Sequence, residues 1–255
     1  TVFNIESSIL KREEPIVQEL ATEYLTEQGI TILNNVTLDS VSNDDNKPVI
    51  KANNQNYTFD AVLYATGRKA NTANIGLEHT DIATNERGAI VVNDTCESSV
   101  PGVYAVGDVN GGPQFTYVSL DDFRIVFGAL TGSGHYTLKD RKNIPYTTFL
   151  TPPLSRVGLT EEDAINQGYT IKTKEMLVAT MPRAHVNDYL KGAFKIVVDA
   201  DNDLILGATL YAQGAEELIN LIKIAMDNNI PYTYFKNQIF THPTMAENLN
   251  DLCNF

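Results

Sequence analysis

The chain has 255 residues, 43% of them hydrophobic, and a formal net charge of −13. This charge opposes binding to nucleic acid phosphates and to anionic membrane surfaces, since no basic patch in the sequence offsets it. No apolar run approaches the roughly 20 residues that cross a bilayer, and the start lacks a signal-peptide pattern. We therefore expect a cytoplasmic protein that binds neither nucleic acid nor membrane.

The first 64 residues show the alternation of a nucleotide-binding α/β unit. A short strand, an amphipathic helix closed by a glycine, and a second strand are predicted at 1–3, 14–28 and from 31 onward. The apolar face of the helix is predicted to contain Ile16, Leu20, Tyr24 and Leu25. Two polar turn clusters separate later strands, and an apolar run over 59–64 ends at the turn Ala65-Thr66-Gly67.

The next segment combines a short apolar strand with a helix. The strand, Val103 to Val106, is predicted to be buried and to place Gly107 and Asp108 at its carboxyl end, where α/β proteins bind ligands. A helix is predicted from Thr116, as its N-cap, to just before Gly132. Its apolar residues, in chain order, are Val118, Phe123, Val126, Phe127 and Leu130.

The last segment reads as α+β. It is predicted to contain a capping box at 160–163, a strand pair formed by 193–198 and 204–211, and a helix over 216–228. On that helix Leu218, Leu221, Ile222 and Ala225 recur at helical spacing, which is more typical of a core face than of an interface.

His242 and Glu247 form a candidate catalytic pair. His242 precedes Pro243, which suits the first turn of a helix, and Glu247 lies one turn further along. A carboxylate in that place can orient the imidazole and stabilise its charged form. An isolated His-Pro is more often a helix cap beside a surface glutamate, but the accompanying motifs favour the catalytic interpretation.

The remaining histidines and the two cysteines suggest no site of their own. His79, His135 and His185 lack metal-ligand spacing, so no metal site is predicted. Cys96 and Cys253 lie far apart in sequence, which argues against a disulfide framework. We predict that Cys96 is a small buried hydrophobe, whereas the role of Cys253 stays open.

Three motifs taken together resemble a known family. The chain resembles the class I pyridine nucleotide-disulfide oxidoreductases in the order and spacing of three motifs: Ala65-Thr66-Gly67-Arg68, Gly102 to Asp108 and His242 to Glu247. That family includes glutathione reductase, dihydrolipoamide dehydrogenase and mercuric reductase. Segments from about Phe123 onward, especially 141–146, 151–158 and 240–252, resemble its bacterial branch associated with reactive-chlorine resistance.

The resemblance implies a domain organisation. Residues 1–64 would be the C-terminal part of an NAD(P)-binding domain, 65–144 the returning segment of an FAD-binding domain, and 145–255 a dimerisation domain. The fold class is then α/β, with partial Rossmann-like NAD(P) and FAD domains, followed by an α+β domain. The family carries an earlier FAD segment with a Cys-x4-Cys redox disulfide, and no Gly-x-Gly-x-x-Gly occurs here. We therefore expect a truncated or proteolytic fragment that lacks turnover alone.

The resemblance also implies a reaction and its residues. Hydride would pass from NAD(P)H to FAD and then to a cysteine pair outside this chain, which reduces a small-molecule disulfide or a metal ion. The chain would form a homodimer through its last domain, with His242 acting in the partner subunit's active site and Glu247 orienting it. The residues implied to bind FAD are Thr66, Gly67, Gly107, Asp108 and Thr116.

Some alternatives stay open. The chain could be a noncatalytic dimerisation module or, within the enzyme class, part of a dihydrolipoamide dehydrogenase. NAD-preferring members carry Glu where this chain has Asn4, which leaves the choice between NADH and NADPH open. Glu6 could substitute, Lys11 and Arg12 could attract a 2′-phosphate, and all three could equally be surface charges. Mercuric reductases place a metal-relaying cysteine pair near the C-terminus, where this chain has only Cys253.

Overall fold

The computed structural model describes all 255 residues, which form ten strands, seven α-helices and four short 3-10 helices. They divide into two compact units. The first unit joins Thr1–Leu63 to Asn143–Phe255, and the second is Tyr64–Lys142. No helix in the structure combines the length and apolar character that a bilayer span requires.

The chain begins with the predicted strand, helix and strand. β1 (Val2–Phe3) pairs in parallel with β2 (Ile32–Leu33), and α1 (Pro15–Glu27) connects them. The buried face of α1 differs from the predicted one, because the helix buries Val17, Ala21 and Tyr24 against Leu154 and Tyr211. Three of the predicted face residues, Ile16, Leu20 and Leu25, are only partly buried.

A three-stranded antiparallel meander follows. It consists of β3 (Leu38–Asp44), β4 (Lys47–Ala52) and β5 (Gln55–Thr58), with β4 in the centre. The predicted polar clusters form its two tight turns, where Asp45, Asn46, Asn53 and Asn54 all adopt positive φ. Asparagine and aspartate tolerate this left-handed conformation better than most residues, which explains the turn positions.

The second unit is mostly irregular and lacks the predicted strand. Val103 to Val106 is not a buried strand, since Tyr104 alone forms an isolated bridge, to Glu97, and the two valines are each 39% exposed. No parallel strand of this chain lies alongside to receive its hydrogen bonds and cover its side chains. The apolar run over 59–64, which lies mostly in the first unit, also forms no strand.

The one α-helix of the second unit is α2 (Thr116–Thr131). It ends at Gly132 as predicted, but its N-cap is Phe115, so Thr116 is the first helical residue and not the cap. Its buried residues are Val118, Asp122 and Ile125. Three residues of the predicted apolar face, Phe123, Phe127 and Leu130, are exposed.

The C-terminal part of the first unit is built on a five-stranded antiparallel sheet in the order β6-β7-β10-β9-β8. Its strands are β6 (Tyr146–Thr148), β7 (Leu154–Gly158), β8 (Ile171–Leu177), β9 (Ala193–Asp199) and β10 (Ile205–Tyr211). The predicted pairing of β9 with β10 is confirmed. Every residue of β9 is buried, so neither face of this strand is open to solvent.

Five helices accompany this sheet: α3 (Glu161–Asn166), α4 (Pro182–Val186), α5 (Ala215–Asp227), α6 (Tyr232–Asn237) and α7 (Asn248–Leu252). The predicted capping box at Thr160 and Asp163 starts α3. On α5, Leu218, Ile222 and Ala225 are buried as predicted, whereas Leu221 is exposed. Each large apolar side chain buried in this way contributes about 1.5–3 kcal/mol.

Candidate active site

His242 and Glu247 lie in the segment that leads into α7. The carboxylate belongs to the N-cap residue of α7, and this short helix is held in place by the fully buried Leu249 and Leu252. His242 Nδ1 lies 2.8 Å from Glu247 Oε2. His242 is therefore in the loop before the helix, not in its first turn as predicted, since α7 starts only at Asn248.

The loop around this pair is held by hydrogen bonds of its own. The Thr244 hydroxyl donates to the carbonyl of Thr241 at 2.7 Å and accepts from the backbone N–H of Glu247 at 3.3 Å. The buried Asn248 side chain donates to the carbonyl of Met245 at 3.0 Å. These contacts fix the backbone from which the carboxylate of Glu247 projects.

The two partners differ in exposure, which suits them to different roles. The imidazole of His242 is 72% exposed, whereas the side chain of Glu247 is 16% exposed. Because an ionised carboxylate can only accept, Nδ1 carries the proton of the neutral ring and Nε2 is left as the acceptor. This arrangement is that of an accessible base with a less accessible orienting group.

The second group of predicted residues lies in the other unit, at a 3-10 helix over Gly107–Asn110. Gly107 has φ +74°, and a Cβ there would lie 2.7 Å from the hydroxyl of Ser119 on α2. A side chain would be strained at this position on both counts. The Asp108 carboxylate is half exposed and lies 3.3 Å from Nη1 of Arg68, which brings the Thr66-Gly67-Arg68 turn beside it.

The other predicted cofactor residues present accessible groups. Thr66 and Gly67 are exposed, Gly67 has φ +105°, and a Cβ there would meet nothing within 4 Å, so the backbone is open to approach. Thr116 is exposed at the start of the 16-residue α2, where the helix dipole is positive. The accepting Asp108 carboxylate, open backbone and helix terminus fit a ligand with hydroxyl groups and an anionic part, as FAD has.

Two buried residues behind this turn were missed by the sequence analysis. Asp122, on α2, accepts a hydrogen bond from the backbone N–H of Gly107, and Arg141 binds the same carboxylate. The sequence contained one signal for them. Asp122 occupies the same helical face as Val118 and Ile125, and an acid on an otherwise apolar face needs a buried partner.

The residues considered for nucleotide selectivity are spread over the start of the first unit. The side-chain amide of Asn4 donates to Asn34 Oδ1 at 2.8 Å, and Glu6 is exposed. Lys11 and Arg12 are exposed at the edge of a cavity of about 670 Å³.

A buried lysine lies near that cavity and was not foreseen. Lys195 Nζ contacts Glu161, Glu175 and Glu14 at 2.6, 2.9 and 3.0 Å. Burial by itself would lower the pKa of Lys195, but the hydrogen bonds that the ammonium donates to the three carboxylates outweigh it and raise the pKa. The lysine is thus charged, and it ties the N-terminus of α1, together with α3 and β8, to the buried strand β9.

Both cysteines are buried and free. Burial raises the pKa of Cys96 to about 11 and that of Cys253 to about 12. The prediction that Cys96 is a buried hydrophobe is confirmed. Because the thiolate is the reactive and metal-binding form, a protonated and buried Cys253 is poorly suited to relay metal ions at neutral pH.

Two family models match the chain. The family described as pyridine nucleotide-disulphide oxidoreductase matches residues 1–122, and its dimerisation domain matches residues 144–253. The chain is 42% identical over 252 residues to the probable pyridine nucleotide-disulfide oxidoreductase RclA of Escherichia coli, covering 99% of this chain and 57% of that protein. It is 32% identical to a mercuric reductase of Staphylococcus aureus, covering 98% of this chain and 46% of that protein.

A solved structure agrees with these matches. The Escherichia coli protein described as HOCl-induced flavoprotein disulfide reductase RclA superposes with a TM-score of 0.94 at 41% identity, covering 98% of this chain and 58% of that one. The chain thus spans about half the length of the curated relatives it matches.

The predicted fold class and the likeness to the reactive-chlorine branch are confirmed. The alternative of a noncatalytic dimerisation module is not favoured, because relatives described as enzymes match nearly the whole chain. The chain belongs to the pyridine nucleotide-disulphide oxidoreductase family.

Proposed function

We propose that this chain contributes to an FAD-dependent NAD(P)H oxidoreductase that reduces a disulfide or a metal ion through a cysteine pair. In this proposal residues 1–64 belong to the NAD(P)-binding domain, 65–144 to the FAD-binding domain and 145–255 to the dimerisation domain. The family assignment supports the redox class. The acceptor class is supported by relatives described as a disulfide reductase, some in complex with Cu(II), and as mercuric reductases.

The observation that carries the proposal is the 2.8 Å contact between His242 and Glu247. Thiol-disulfide exchange needs a group that takes a proton from one thiol and later returns it. The exposed imidazole of His242 has the acceptor for that task, and Glu247 holds the ring in one orientation. In a homodimer formed through the last domain, His242 acts on the cysteine pair of the partner subunit.

FAD, when bound, supplies the two-electron chemistry that links a nicotinamide to the cysteine pair. In the proposal Asp108 accepts hydrogen bonds from hydroxyl groups of its ribityl chain. Thr66 and Gly67 offer exposed backbone, and Thr116 places the positive end of α2 near the ring system. That helix end favours nearby negative charge by about 0.3–1 kcal/mol.

The test of the catalytic role uses the complete flavoenzyme with its redox cysteines. His242→Ala should lower turnover of a disulfide or Cu(II) acceptor by about 10²–10⁴-fold, the usual contribution of a general acid–base. His79→Ala is the matched control, because His79 is also exposed but has only a surface contact with Glu78. Turnover by His242→Ala within twofold of the unmutated enzyme would overturn the role of His242.

The homodimer has a test that needs no cofactor. Sedimentation of the 28.1 kDa chain should give a species of twice that mass. A monomer at micromolar concentration would contradict dimerisation through residues 145–255 alone.

A further inference from the structure

The Gly107 turn is held from behind by a buried carboxylate. Asp122 is 1% exposed, and its Oδ2 accepts from the backbone N–H of Gly107 at 2.7 Å. The same oxygen accepts from the side-chain amide of Asn110 at 2.9 Å. One oxygen therefore binds both ends of the 3-10 helix that carries Asp108.

The other oxygen of this carboxylate is bound by an arginine. Nη2 of Arg141 donates to Oδ1 of Asp122, while Nε of Arg141 donates to Oδ2 of Asp121 at 2.7 Å. Arg141 is itself largely buried. Burial by itself would lower the pKa of Arg141, but hydrogen bonds to Asp122 and Asp121 outweigh it and raise the pKa. The guanidinium therefore compensates the buried charge of Asp122.

The surroundings of Asp122 demand a carboxylate and not an amide. The backbone N–H of Gly107, the amide of Asn110 and the guanidinium of Arg141 all reach it as donors. An asparagine at this position would have one acceptor and one donor group, so one of its ends would face a donor in either orientation. The turn therefore depends on a side chain with an accepting oxygen at both positions.

Asp108 has little else to hold it. Its carboxylate is half exposed, and its contact within the unit is the 3.3 Å pair with the exposed Arg68. Exposed ion pairs of this kind contribute little to the stability of a fold. The position of Asp108 is thus set by the backbone of the turn, which Asp122 holds through the backbone N–H of Gly107 and the side-chain amide of Asn110.

From this geometry we infer that Asp122, compensated by Arg141, is a positioning residue for the flavin site. It holds the Gly107 turn in the conformation that presents Asp108 to a flavin hydroxyl. The inference rests on the proposed function for its flavin part, because Asp108 is assigned to FAD there. The anchoring of the turn stands on the contacts alone.

The experiment compares Asp122→Asn with Asp121→Asn in the complete enzyme. Both variants remove one negative charge that faces Arg141, but only Asp122 touches Gly107 and Asn110. Backbone hydrogen exchange over 105–111, measured without flavin, should accelerate by about tenfold or more in Asp122→Asn and stay unchanged in Asp121→Asn. The dissociation constant of FAD, measured with the deflavinated protein, should rise by about tenfold or more in Asp122→Asn only.

The visible spectrum of bound flavin gives a readout that a loss of overall stability would not move. The visible absorption band of the flavin should shift in wavelength in Asp122→Asn and stay unchanged in Asp121→Asn. If Asp122→Asn does not fold, the double variant Asp122→Asn with Arg141→Leu replaces it, since removing both charges avoids an uncompensated buried guanidinium. It should show the same fast exchange and weak FAD binding.

The outcomes separate the two proposals. Unchanged exchange over 105–111 in Asp122→Asn, or equal effects in both variants, would overturn the positioning role. Faster exchange with unchanged FAD affinity would overturn it as well. If the unmutated enzyme binds no FAD, the proposed function fails, and the exchange measurement still decides whether Asp122 anchors the turn.

Discussion

The imidazole of His242 and the carboxylate of Glu247 are joined by a 2.8 Å contact although five positions separate them in sequence. The contact exists because the chain turns at Thr244 before α7 begins at Asn248. It pairs an exposed ring with a partly buried acid on one short segment. The first prediction follows from this pair.

Glu247→Ala should remove the preference of the neutral His242 ring for one tautomer. In the neutral form of the ring in the unmutated protein, the proton should lie on Nδ1 because a carboxylate can only accept. Long-range ¹⁵N–¹H correlation of the imidazole should therefore show Nε2 as the unprotonated nitrogen, and a mixture of tautomers in Glu247→Ala. The exposed Glu162→Ala is the control. A tautomer ratio that is the same in all three proteins would contradict the orienting role of Glu247.

Lys195→Met should destabilise the first unit strongly. The substitution leaves the buried Glu14 beside Glu161 and Glu175 without the charge that all three contact. Breaking a buried ion pair from one side costs about 3–5 kcal/mol in the free energy of unfolding. Urea denaturation measures this loss.

Lys172→Met is the matched control for that experiment. Lys172 lies on the neighbouring strand β8, is partly exposed, and has a 3.6 Å contact with Asp203. Its loss should cost less than about 1 kcal/mol. Equal costs for the two lysines would show that the cluster around Lys195 carries no special stability.

Tyr24→Phe should lower the free energy of unfolding, because it removes one buried hydrogen bond made by α1. The Tyr24 hydroxyl accepts from the backbone N–H of Gly192 at 2.8 Å, and burial raises the pKa of Tyr24. Without the hydroxyl this buried N–H has lost its acceptor, which costs about 1–3 kcal/mol of unfolding free energy. The control Tyr57→Phe removes an exposed hydrogen bond to Gln55 and should cost less than about 0.5 kcal/mol. A cost for Tyr24→Phe as small as that of the control would refute the prediction.

The buried Cys253 thiol should make the fold sensitive to alkali. Its pKa is raised to about 12 by burial, so between about pH 8.5 and 12 the unfolded chain loses a proton that the folded chain keeps. This contribution to stability is complete below about pH 8.5 and is lost as the pH rises toward 12. From pH 9 to 11 the unfolding free energy of the unmutated protein should fall more steeply than that of Cys253→Ala, by about 1.4 kcal/mol per pH unit.

Urea denaturation at pH 8, 9, 10 and 11 measures the two slopes. Other titrating groups, including Cys96, are common to both proteins and cancel in the comparison. Parallel curves for the two proteins would mean that the Cys253 thiol titrates alike in the folded and unfolded states.

The elements that could be predicted from sequence are those whose pattern reflects local contacts. The turns at Asn53 and Asn54, the capping box at Thr160 and the pairing of β9 with β10 are all present. In each case neighbouring residues supply both the conformational preference and the hydrogen bonds. No distant segment had to be known.

The strand predicted at Val103 to Val106 was wrong for the opposite reason. An apolar run becomes a strand only when another strand accepts its hydrogen bonds, and within this chain none does. The predicted face of α2 was wrong in a similar way. Val118 and Ile125 are buried together with Asp122, whereas the aromatic residues Phe123 and Phe127 are exposed.

The sequence alone determined the family, the fold class and the candidate pair His242 and Glu247, because motif spacing and short-range periodicity are written along the chain. The tertiary structure decided that Asp122 and Arg141 support the Gly107 turn and that Lys195 joins three carboxylates. These contacts link residues such as Glu14 and Lys195 that lie far apart in sequence. A buried charge is stable only where the fold brings its partners together. Those partners come from distant parts of the chain, so no repeating pattern in the sequence reveals them.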